Sequence, residues 1–430
     1  MIALLLILAL QAEPIWTVDT KSPSYGSGAL GDIDGDGKLE VVFGTYYNDE
    51  HLYAVNAEDG SILWKYKSDR GPFDASVAIV DLDGDKRPEI LSADSSSGRL
   101  FCLDGKGKLT WALKLPNSTD SPPAVADLDG DGVLEIVVGS MWKRNGNGDV
   151  TVYRADTQKK VWGTEVKGCV QSAPCLVDLN GDKTLDVIVA SWRGSNAVHA
   201  FNGKDGEALW TFETMDEEDD PKRHMGMYHG VSAGKVDGKW RIAFATCSSA
   251  RGTVFVVDAD GALVWKKMLG EYFFAPTTMA DLDGDGALDI VACGSNTYAF
   301  TADGKQIWKA KGTSSARGPA VADLDGDGDL DLIFGAKGRR VVALEGSSGR
   351  ELWSVGTTIK DHPYEGLDTG PLVADFNGDG TLEVFVVGGK GTSDKTKEKN
   401  YGRAFAIPAG KGKQTWETFR GNLRRTGTRK

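Results

Sequence analysis

The 430-residue sequence has little of what helical, membrane-spanning and nucleic-acid-binding proteins are built from. Beyond the first dozen residues, no segment has the apolar spacing of an amphipathic helix. The apolar run at residues 2–10 is too short to cross a bilayer. Lysine and arginine form no basic stripe, and no nucleic-acid-binding motif is present. These absences argue against a helical fold, a membrane-spanning segment and a nucleic-acid partner.

Cysteine is also scarce, with five residues in the whole chain. An odd number leaves at least one thiol unpaired, or paired with another chain. Cys247 and Cys293 lie in strand-like segments and are expected to be small buried thiols. Cys169 and Cys175 are close enough in sequence for a local disulfide, and Cys102 stands alone. The sequence leaves their pairing open.

What the chain has in abundance is a nine-residue acidic segment. It occurs seven times, as DIDGDGKLE at 32–40, DLDGDKRPE at 81–89, DLDGDGVLE at 127–135, DLNGDKTLD at 178–186, DLDGDGALD at 281–289, DLDGDGDLD at 323–331 and DFNGDGTLE at 375–383. Carboxylates at alternate positions supply the oxygen ligands that Ca²⁺ prefers, and glycines let the backbone curl around the ion. Position twelve of the first copy is Phe43 instead of the bidentate glutamate of an EF-hand. The pattern therefore predicts about seven calcium sites that are not EF-hands.

In each copy, we expect side-chain oxygens from positions one, three, five and nine, and the main-chain carbonyl oxygen of position seven. The predicted metal ligands are Asp32, Asp34, Asp36, Lys38, Glu40, Asp81, Asp83, Asp85, Arg87, Glu89, Asp127, Asp129, Asp131, Val133, Glu135, Asp178, Asn180, Asp182, Thr184, Asp186, Asp281, Asp283, Asp285, Ala287, Asp289, Asp323, Asp325, Asp327, Asp329, Asp331, Asp375, Asn377, Asp379, Thr381 and Glu383. Because the loops are alike, we expect structural sites without catalytic function. Seven Ca²⁺ ions would change the net charge from −13 to +1, so the acidity is no sign of a basic partner.

The loops recur with a period of about 50 residues, and the gap between the fourth and fifth is twice as long. Residues 228–246 fill this gap with similar strands but without the carboxylates. One tryptophan per period closes a phrase such as DGSILW, at Trp64, Trp111, Trp162, Trp210, Trp265, Trp308, Trp353 and Trp416. Each period has the pattern of four short strands. Eight such units predict an all-β fold, an eight-bladed β-propeller of four-stranded blades.

The acidic loops resemble those of integrin-α-type FG-GAP (VCBS) propeller repeats, and the tryptophan phrases resemble the docking motifs of quinoprotein-type (PQQ-like) propellers. Together these resemblances cover nearly the whole chain after its apolar start. They imply that the loops lie on one face of the propeller and that ligands bind the opposite face. The adjacent Cys-Cys pair that quinoprotein dehydrogenases hold over their cofactor is absent, which argues against that activity.

The expected organisation is a signal peptide over residues 1–12, cut near Ala12, and one propeller domain over 13–430. An uncleaved anchor is the alternative, because the first segment has no lysine or arginine. The predicted blades begin near residues 25, 73, 119, 170, 228, 273, 315 and 367. Two ways to close the ring stay open. Either the N-terminal segment around Trp16 adds a strand to the last blade, or the segment around Trp416 supplies that strand. In both cases the basic tail FRGNLRRTGTRK is expected to be loosely attached.

Two sets of residues are candidates for ligand binding. The first set follows the second strand of a blade and joins aromatic rings to cations, as sugar-binding sites do: Tyr46, Tyr47, Trp142, Lys143, Arg144, Trp192 and Arg193. The second set lies seven residues before an acidic loop, where equivalent strands would place a polar ring at the channel entrance: Asp74, Asp120, Gln171 and Asp368. The alternatives are aromatic residues that only cap blade edges and polar residues that only solvate the channel.

The sequence therefore predicts a secreted, periplasmic or cell-surface calcium-binding propeller, monomeric, that binds a carbohydrate or protein ligand on the face opposite the calcium loops. No catalytic residue stands out. The alternatives are a polysaccharide lyase, by resemblance to rhamnogalacturonan lyases, and a scaffold in envelope assembly, by resemblance to PQQ-like assembly propellers. Fold alone does not choose among them.

Overall fold

The computed structural model describes residues 13–141, 145–215, 217, 219–220, 223–248, 250–313, 315–336, 338–357, 366–392, 394–412 and 415–429. The expected signal peptide at 1–12 lies outside these residues. The described chain forms eight antiparallel sheets in chain order, each starting at an inner strand. The prediction of an all-β, eight-bladed propeller is confirmed.

Blades 1 to 4 follow one another without a crossover. Their strands are β2 (Ala29–Gly31), β3 (Glu40–Gly44), β4 (His51–Asn56) and β5 (Ile62–Lys67) in blade 1; β6 (Ala78–Val80), β7 (Glu89–Asp94), β8 (Arg99–Leu103) and β9 (Leu109–Lys114) in blade 2; β10 (Ala124–Ala126), β11 (Glu135–Gly139), β12 (Asn147–Arg154) and β13 (Lys160–Lys167) in blade 3; and β14 (Cys175–Val177), β15 (Asp186–Ala190), β16 (Ala197–Phe201) and β17 (Ala208–Glu213) in blade 4.

Blades 5 to 8 repeat this order, and β1 (Trp16–Thr20) joins the last of them. Their strands are β18 (Ser232–Val236), β19 (Lys239–Ala245), β20 (Thr253–Val257) and β21 (Leu263–Met268) in blade 5; β22 (Thr278–Ala280), β23 (Asp289–Cys293), β24 (Thr297–Phe300) and β25 (Gln306–Ala310) in blade 6; β26 (Ala320–Ala322), β27 (Asp331–Ala336), β28 (Arg340–Leu344) and β29 (Glu351–Gly356) in blade 7; and β30 (Leu372–Ala374), β31 (Leu382–Lys390), β32 (Tyr401–Gly410) and β1 in blade 8. Two short 3₁₀ turns, Asp394–Lys399 and Phe419–Gly421, and strand β33 (Thr428–Arg429) complete the described elements.

The burial of each strand explains its pattern of apolar and polar residues. The second strand of a blade, such as β11 with its run EIVVG, is buried at every position. It packs against the neighbouring blade on each face, so consecutive apolar residues are needed. The outermost strand, such as β5 with ILWKYK, alternates exposed and half-buried residues because only one face meets a neighbour. The core therefore lies between blades, in clusters that each join adjacent sheets.

The N-terminal strand closes the ring. β1 pairs antiparallel with β32, from Trp16 opposite Ala406 to Thr20 opposite Gly402. Trp16 is 8% exposed and packs in one cluster with residues of blades 8 and 1. The first of the two predicted closures is thus the observed one. Trp416, which we counted among the docking tryptophans, belongs to the C-terminal tail, and Trp16 takes its place.

Six of the docking tryptophans join their blade to the next by one repeated contact. The indole Nε1 donates a hydrogen bond of 2.7–2.9 Å to a main-chain carbonyl of the following blade at Trp16, Trp64, Trp162, Trp210, Trp265 and Trp308. The ring lies over a turn glycine of that blade. At Gly60, which has φ +73°, a Cβ would stand 2.6 Å from the ring of Trp16. The Asp-Gly turn and the tryptophan are therefore two halves of one contact.

Blade 5 replaces the acidic loop with a tight hairpin. Val236 pairs with Lys239, and only Asp237 and Gly238 lie between β18 and β19. Both turn residues have positive φ, 50° and 74°, as a type I′ turn requires. The loss of the metal-binding loop thus shortened the connection and kept the pairing of the strands.

The C-terminal tail fills the centre of the ring, which corrects the expectation of a loose basic tail and of a solvated channel. Residues 415–429 form seven main-chain hydrogen bonds with inner strands, at Val373, Leu30, Val125, Leu176, Ala233 and Met279. β33 adds a parallel fifth strand to blade 6 by pairing with β22.

Two arginines of the tail bind it to the surrounding blades by hydrogen bonds to main-chain carbonyl oxygens. Arg425 is fully buried and donates hydrogen bonds to the carbonyl oxygens of Val77 in blade 2 and Pro123 before blade 3. Arg420 is 3% exposed and donates to the carbonyl oxygen of Val231 before blade 5. The tail therefore links the inner strands of distant blades.

All five cysteines are buried and form no disulfide, including Cys169 and Cys175. Burial raises the pKa of Cys175, Cys247 and Cys293 to about 12. Small inert thiols are thus what the structure shows. Among the described residues, no helix is long and apolar enough to cross a membrane.

Candidate functional site

The seven acidic loops share one hydrogen-bond pattern. In every copy, the carboxylate at position nine accepts a hydrogen bond from the main-chain N–H of position two, as Glu40 does from Ile33 at 2.9 Å. The carboxylate of position one accepts from the amide of position six in every copy, and also from that of position four in all copies except 281–289, as Asp32 does from Gly37 and Gly35. The glycine at position four has positive φ, for example 83° at Gly35. These bonds curl the loop so that its carboxylates converge.

The chemistry of the converging atoms fits a hard divalent cation. In five loops, oxygen atoms of three carboxylates lie within 4.8 Å of one another: Asp32, Asp34 and Asp36; Asp81, Asp83 and Asp85; Asp127, Asp129 and Glu135; Asp281, Asp283 and Asp285; Asp323, Asp325 and Asp331. The other two loops have asparagine at position three, whose amide oxygen is also a hard ligand. All of the predicted loops thus have oxygen donors.

Position nine gives a further indication that the residues fit a cation. Glu40 Oε1 and Asp186 Oδ1 are buried and have no hydrogen-bond partner within the described chain, although the second oxygen of each caps the loop. Burial raises the pKa of Glu40 to about 7 and that of Asp186 to about 6. A buried carboxylate oxygen without a donor is stabilised by a bound cation.

At the opposite end of the inner strands, the eight blades contribute one residue each to a ring. The position is always four residues before the inner strand. The ring, called here the axial ring, consists of Tyr25, Asp74, Asp120, Gln171, Tyr228, Phe274, Ala316 and Asp368 in blade order. Our sequence prediction named only its four polar members. The other four have the same spacing, so the repeat itself was the signal that would have found them.

The axial ring surrounds a cavity of about 360 Å³. All of its members except Gln171 line this cavity, together with Tyr46 and Arg317. The ring is chemically two-sided. Blades 2 to 4 contribute two carboxylates and an amide, whereas blades 5 to 7 contribute two aromatic rings and an alanine. The structure thus brings Tyr46 and the predicted polar ring, which were separate candidates, into one pocket.

The polar side is held by hydrogen bonds between blades. Gln171 Nε2 and Tyr228 Oη both donate to Asp120 Oδ2, the second at 2.9 Å, and Gln171 Nε2 lies 3.2 Å from Tyr228 Oη. Burial raises the pKa of Asp74 above its usual range, and the negative charge of Asp120 raises it further. Burial also raises the pKa of Asp120, while hydrogen bonds from Tyr228 and Gln171 and the charge of Arg317 oppose this shift. The two carboxyl groups therefore disfavour simultaneous ionisation.

Arg317 forms the cationic part of the pocket. Its Nε donates to the main-chain carbonyl of Asp368 at 3.0 Å, and its Nη1 to Nδ1 of His229 at 2.9 Å. The second bond places the proton of the neutral imidazole on Nε2. Burial lowers the pKa of His229, and the charges of Arg317 and of Arg420 in the tail lower it further. The pocket therefore has three carboxyl groups, one guanidinium and a neutral histidine beneath it.

The aromatic side consists of two groups of rings. Tyr25 and Tyr46 meet edge to face with centroids 4.7 Å apart. Tyr228 and Phe274 stack with centroids 4.7 Å apart. These rings belong to blades 1, 5 and 6, so the pocket has aromatic surface on two sides. Exposed aromatic faces beside hydrogen-bonding groups are typical of ligand sites.

Tyr47, Trp192 and Arg193, three further predicted ligand residues, are not among the residues that line the pocket. Tyr47 packs against Tyr46 and shares a 2.6 Å hydrogen bond with Ser96. Trp192 meets Tyr228 edge to face at 4.9 Å, and the guanidinium of Arg193 lies 4.2 Å from its ring. Trp192 thus packs against Tyr228, which lines the pocket. Trp142, Lys143 and Arg144 lie outside the described residues.

A larger but more open groove lies between blades 1 and 2. It has a volume of about 780 Å³ and is lined by Asp69, Arg70, Ser96, Ser97, Arg99 and Lys114. Its side chains are largely exposed, for example Arg70 at 63%. Because none of its residues is both buried and polar, we regard the axial pocket as the better-formed site.

Comparisons with known proteins agree with this architecture. Residues 32–92 and 81–138 match the model of the FG-GAP-like repeat, and residues 194–426 match that of the outer membrane protein assembly factor BamB. Integrin alpha-PS5 of Drosophila melanogaster is 26% identical over 230 residues, which are 49% of this chain and 21% of that protein. The rhamnogalacturonan endolyase YesW of Bacillus subtilis (strain 168) is 22% identical over 280 residues, which are 60% of this chain and 43% of that protein. The chain thus spans less than half the length of each relative.

Solved structures show the same fold at low identity. BamB from Moraxella catarrhalis superposes with a TM-score of 0.57 at 14% identity, over 92% of this chain and 99% of that one. A likeness at this identity concerns the fold alone. The match to the second family model covers more than half of the residues. The chain therefore belongs to the family described as outer membrane protein assembly factor BamB, with FG-GAP-like repeats in its N-terminal part.

Proposed function

We propose that this protein is an exported, calcium-stabilised propeller that binds a carbohydrate in the axial pocket without chemically altering it. The observation that supports this function is the two-sided axial ring. Phe274 and Tyr228 line the pocket with aromatic rings, and Asp74 and Asp120 line it with hydrogen-bonding groups on the other side. Sugar rings have an apolar face and a polar rim, so they match such a site.

The size and position of the pocket favour the same function. A volume of about 360 Å³ is at the lower end of small-molecule sites, which suits one or two sugar residues of a longer chain. The axial ring precedes each inner strand and the acidic loops follow it in seven blades, so a ligand in the pocket and calcium in the loops would lie on opposite faces. The tail bonds to the inner strands between these faces.

Calcium has a structural role in this proposal. Seven loops would each hold one ion and fix the connection between the first two strands of seven blades. Free Ca²⁺ outside cells is high enough to fill weak extracellular sites. We therefore propose a secreted, periplasmic or cell-surface location and a monomer that needs no partner to fold.

Glycan-array binding by the calcium-loaded protein tests this function. Phe274→Ala removes an aromatic face of the pocket, and we expect it to abolish binding to the glycans that the wild type retains. Tyr66→Ala is the matched control, because Tyr66 is a half-buried aromatic residue on the outer strand of blade 1. If neither variant loses glycan binding, or if the wild type binds no glycan, the proposed function is wrong.

A sugar-cleaving enzyme is the second candidate, favoured by carboxyl groups with raised pKa in a pocket. Buried acids of this kind act as proton donors or acceptors in many enzymes. Three carboxyl groups around the cavity would repel an anionic uronate, so a pectic substrate is disfavoured by charge. Incubation with neutral and pectic polysaccharides separates the two candidates. Release of reducing ends, or of unsaturated products that absorb ultraviolet light, would favour the enzyme.

A further inference from the structure

The axial ring has hydrogen-bond acceptors that lack donors. Asp74 Oδ1, Asp120 Oδ1 and Gln171 Oε1 are buried and accept no hydrogen bond from any described residue. Asp74 is 9% exposed and Gln171 4%, so bulk water does not compensate for the missing donors. They come from three successive blades, 2, 3 and 4. A buried acceptor without a donor is unfavourable, which favours a ligand that brings N–H or O–H groups.

The charge of the residues around the cavity favours a cationic ligand. Asp74, Asp120 and Asp368 line the pocket, and Arg317 is the only cation among its described lining residues. The guanidinium already donates to a main-chain carbonyl and to His229. When the carboxyl groups are ionised, the pocket has an excess of negative charge that a cationic ligand would neutralise.

The aromatic side also suits a cation. Tyr25 and Tyr46 stand on one flank and Tyr228 and Phe274 on the other. The faces of such rings attract ammonium groups, most strongly in partly desolvated sites. An ammonium has three N–H donors and no acceptor. It therefore matches a site that offers acceptors, negative charge and aromatic faces together.

We propose that the carbohydrate is an amino sugar, whose protonated amine lies among the carboxylates of Asp74 and Asp120 while its ring stacks on Phe274 and Tyr228. This inference rests on the proposed carbohydrate binding and names the class of sugar. When these carboxyl groups are ionised, a neutral sugar would leave their negative charge unbalanced, and a uronate would add to that charge. Arg317 already donates hydrogen bonds to the main-chain carbonyl of Asp368 and to His229.

The test compares three trimers by titration calorimetry with calcium-saturated protein: glucosamine, N-acetylglucosamine and glucose. We expect the glucosamine trimer to bind at least about tenfold more tightly than its acetylated form, because acetylation removes the charge. The double variant D74N/D120N should reduce this ratio to about one, whereas Asp205→Asn, an exposed turn carboxylate, should leave it unchanged. Circular dichroism verifies that the variants are folded.

Other results overturn the inference in distinguishable ways. If the glucose and N-acetylglucosamine trimers bind as well as the glucosamine trimer and Phe274→Ala abolishes all three, the amine is irrelevant and the proposed function stands. If no trimer binds, the inference fails, and binding on the glycan array decides separately whether the proposed function stands. If D74N/D120N lowers the number of bound Ca²⁺ ions by one, the carboxylates hold a metal instead. Equally tight binding of butylamine would show that the sugar ring contributes nothing.

Discussion

Removing calcium should lower the melting temperature by an amount that follows from the number of loops. Extracellular calcium sites have dissociation constants of about 0.1–1 mM. At about 1 mM Ca²⁺, each site then contributes roughly 0.4–1.4 kcal/mol to the free energy of unfolding. Seven sites contribute about 3–10 kcal/mol. The unfolding entropy of 430 residues is about 0.9 kcal/mol/K, so chelation should lower the melting temperature by about 3–11 °C.

Calorimetric melting in 1 mM Ca²⁺ and in excess EGTA measures this effect, and equilibrium dialysis counts the ions. The structure predicts seven if the two asparagine-containing loops bind, and five if only the loops bind whose three carboxylate oxygens lie within 4.8 Å of one another. Glu40→Gln retains the hydrogen bond from Ile33 and removes the charge of the unpartnered oxygen, so we expect one ion fewer. Glu207→Gln, at an exposed turn, is the control and should retain all ions. Identical melting curves with and without chelator would refute the structural role of calcium.

Three further predictions concern the ring closure, the tail and the pocket. Trp16→Ala should lower the free energy of unfolding by about 3–5 kcal/mol, because the buried indole joins β1 to blade 1. This loss corresponds to a melting temperature lower by about 3–6 °C. A smaller effect than that of Trp64→Ala would contradict the closure of the ring by β1. A chain ending at residue 412 loses seven main-chain hydrogen bonds of about 0.5–1.5 kcal/mol each. It should be far more sensitive to proteolysis than the full chain, and addition of the separate peptide 415–430 should restore resistance. Asp74→Asn should raise the melting temperature at pH 8, with the gain vanishing toward pH 4. Because the pKa of Asp74 is raised in the folded state, its contribution to stability is fully present in acid and is lost as the pH rises through that folded pKa. An increase in melting temperature that is the same at both pH values would contradict this reasoning.

The fold was predictable from sequence because each of its contacts leaves a local mark. The acidic loop recurs in seven of the eight periods, and the docking tryptophan and the turn it covers recur at the same spacing, so each marks one part of a blade. The error over Trp416 has a physical cause. Its phrase has the docking pattern, and only long-range pairing shows that Trp16, paired through β1 with β32, occupies that position.

The site was only partly predictable. Spacing alone identified Asp74, Asp120, Gln171 and Asp368, since equivalent positions in a repeat share a direction. It missed Tyr228 and Phe274 because only polar residues were sought, although the spacing is the same. The tail was misjudged from composition. Its arginines looked exposed, yet Arg420 and Arg425 are buried because main-chain carbonyls of distant blades receive their hydrogen bonds.

The large sequence separation between β1 and its partner strand has a consequence for biosynthesis. β1 pairs with β32, which is synthesised after the four strands of each of the other seven blades, and the segment that bonds to the inner strands follows β32 in the chain. The ring can therefore close only after the four strands of all eight blades have been synthesised. Until then β1 has unpaired main-chain groups that could pair with other strands.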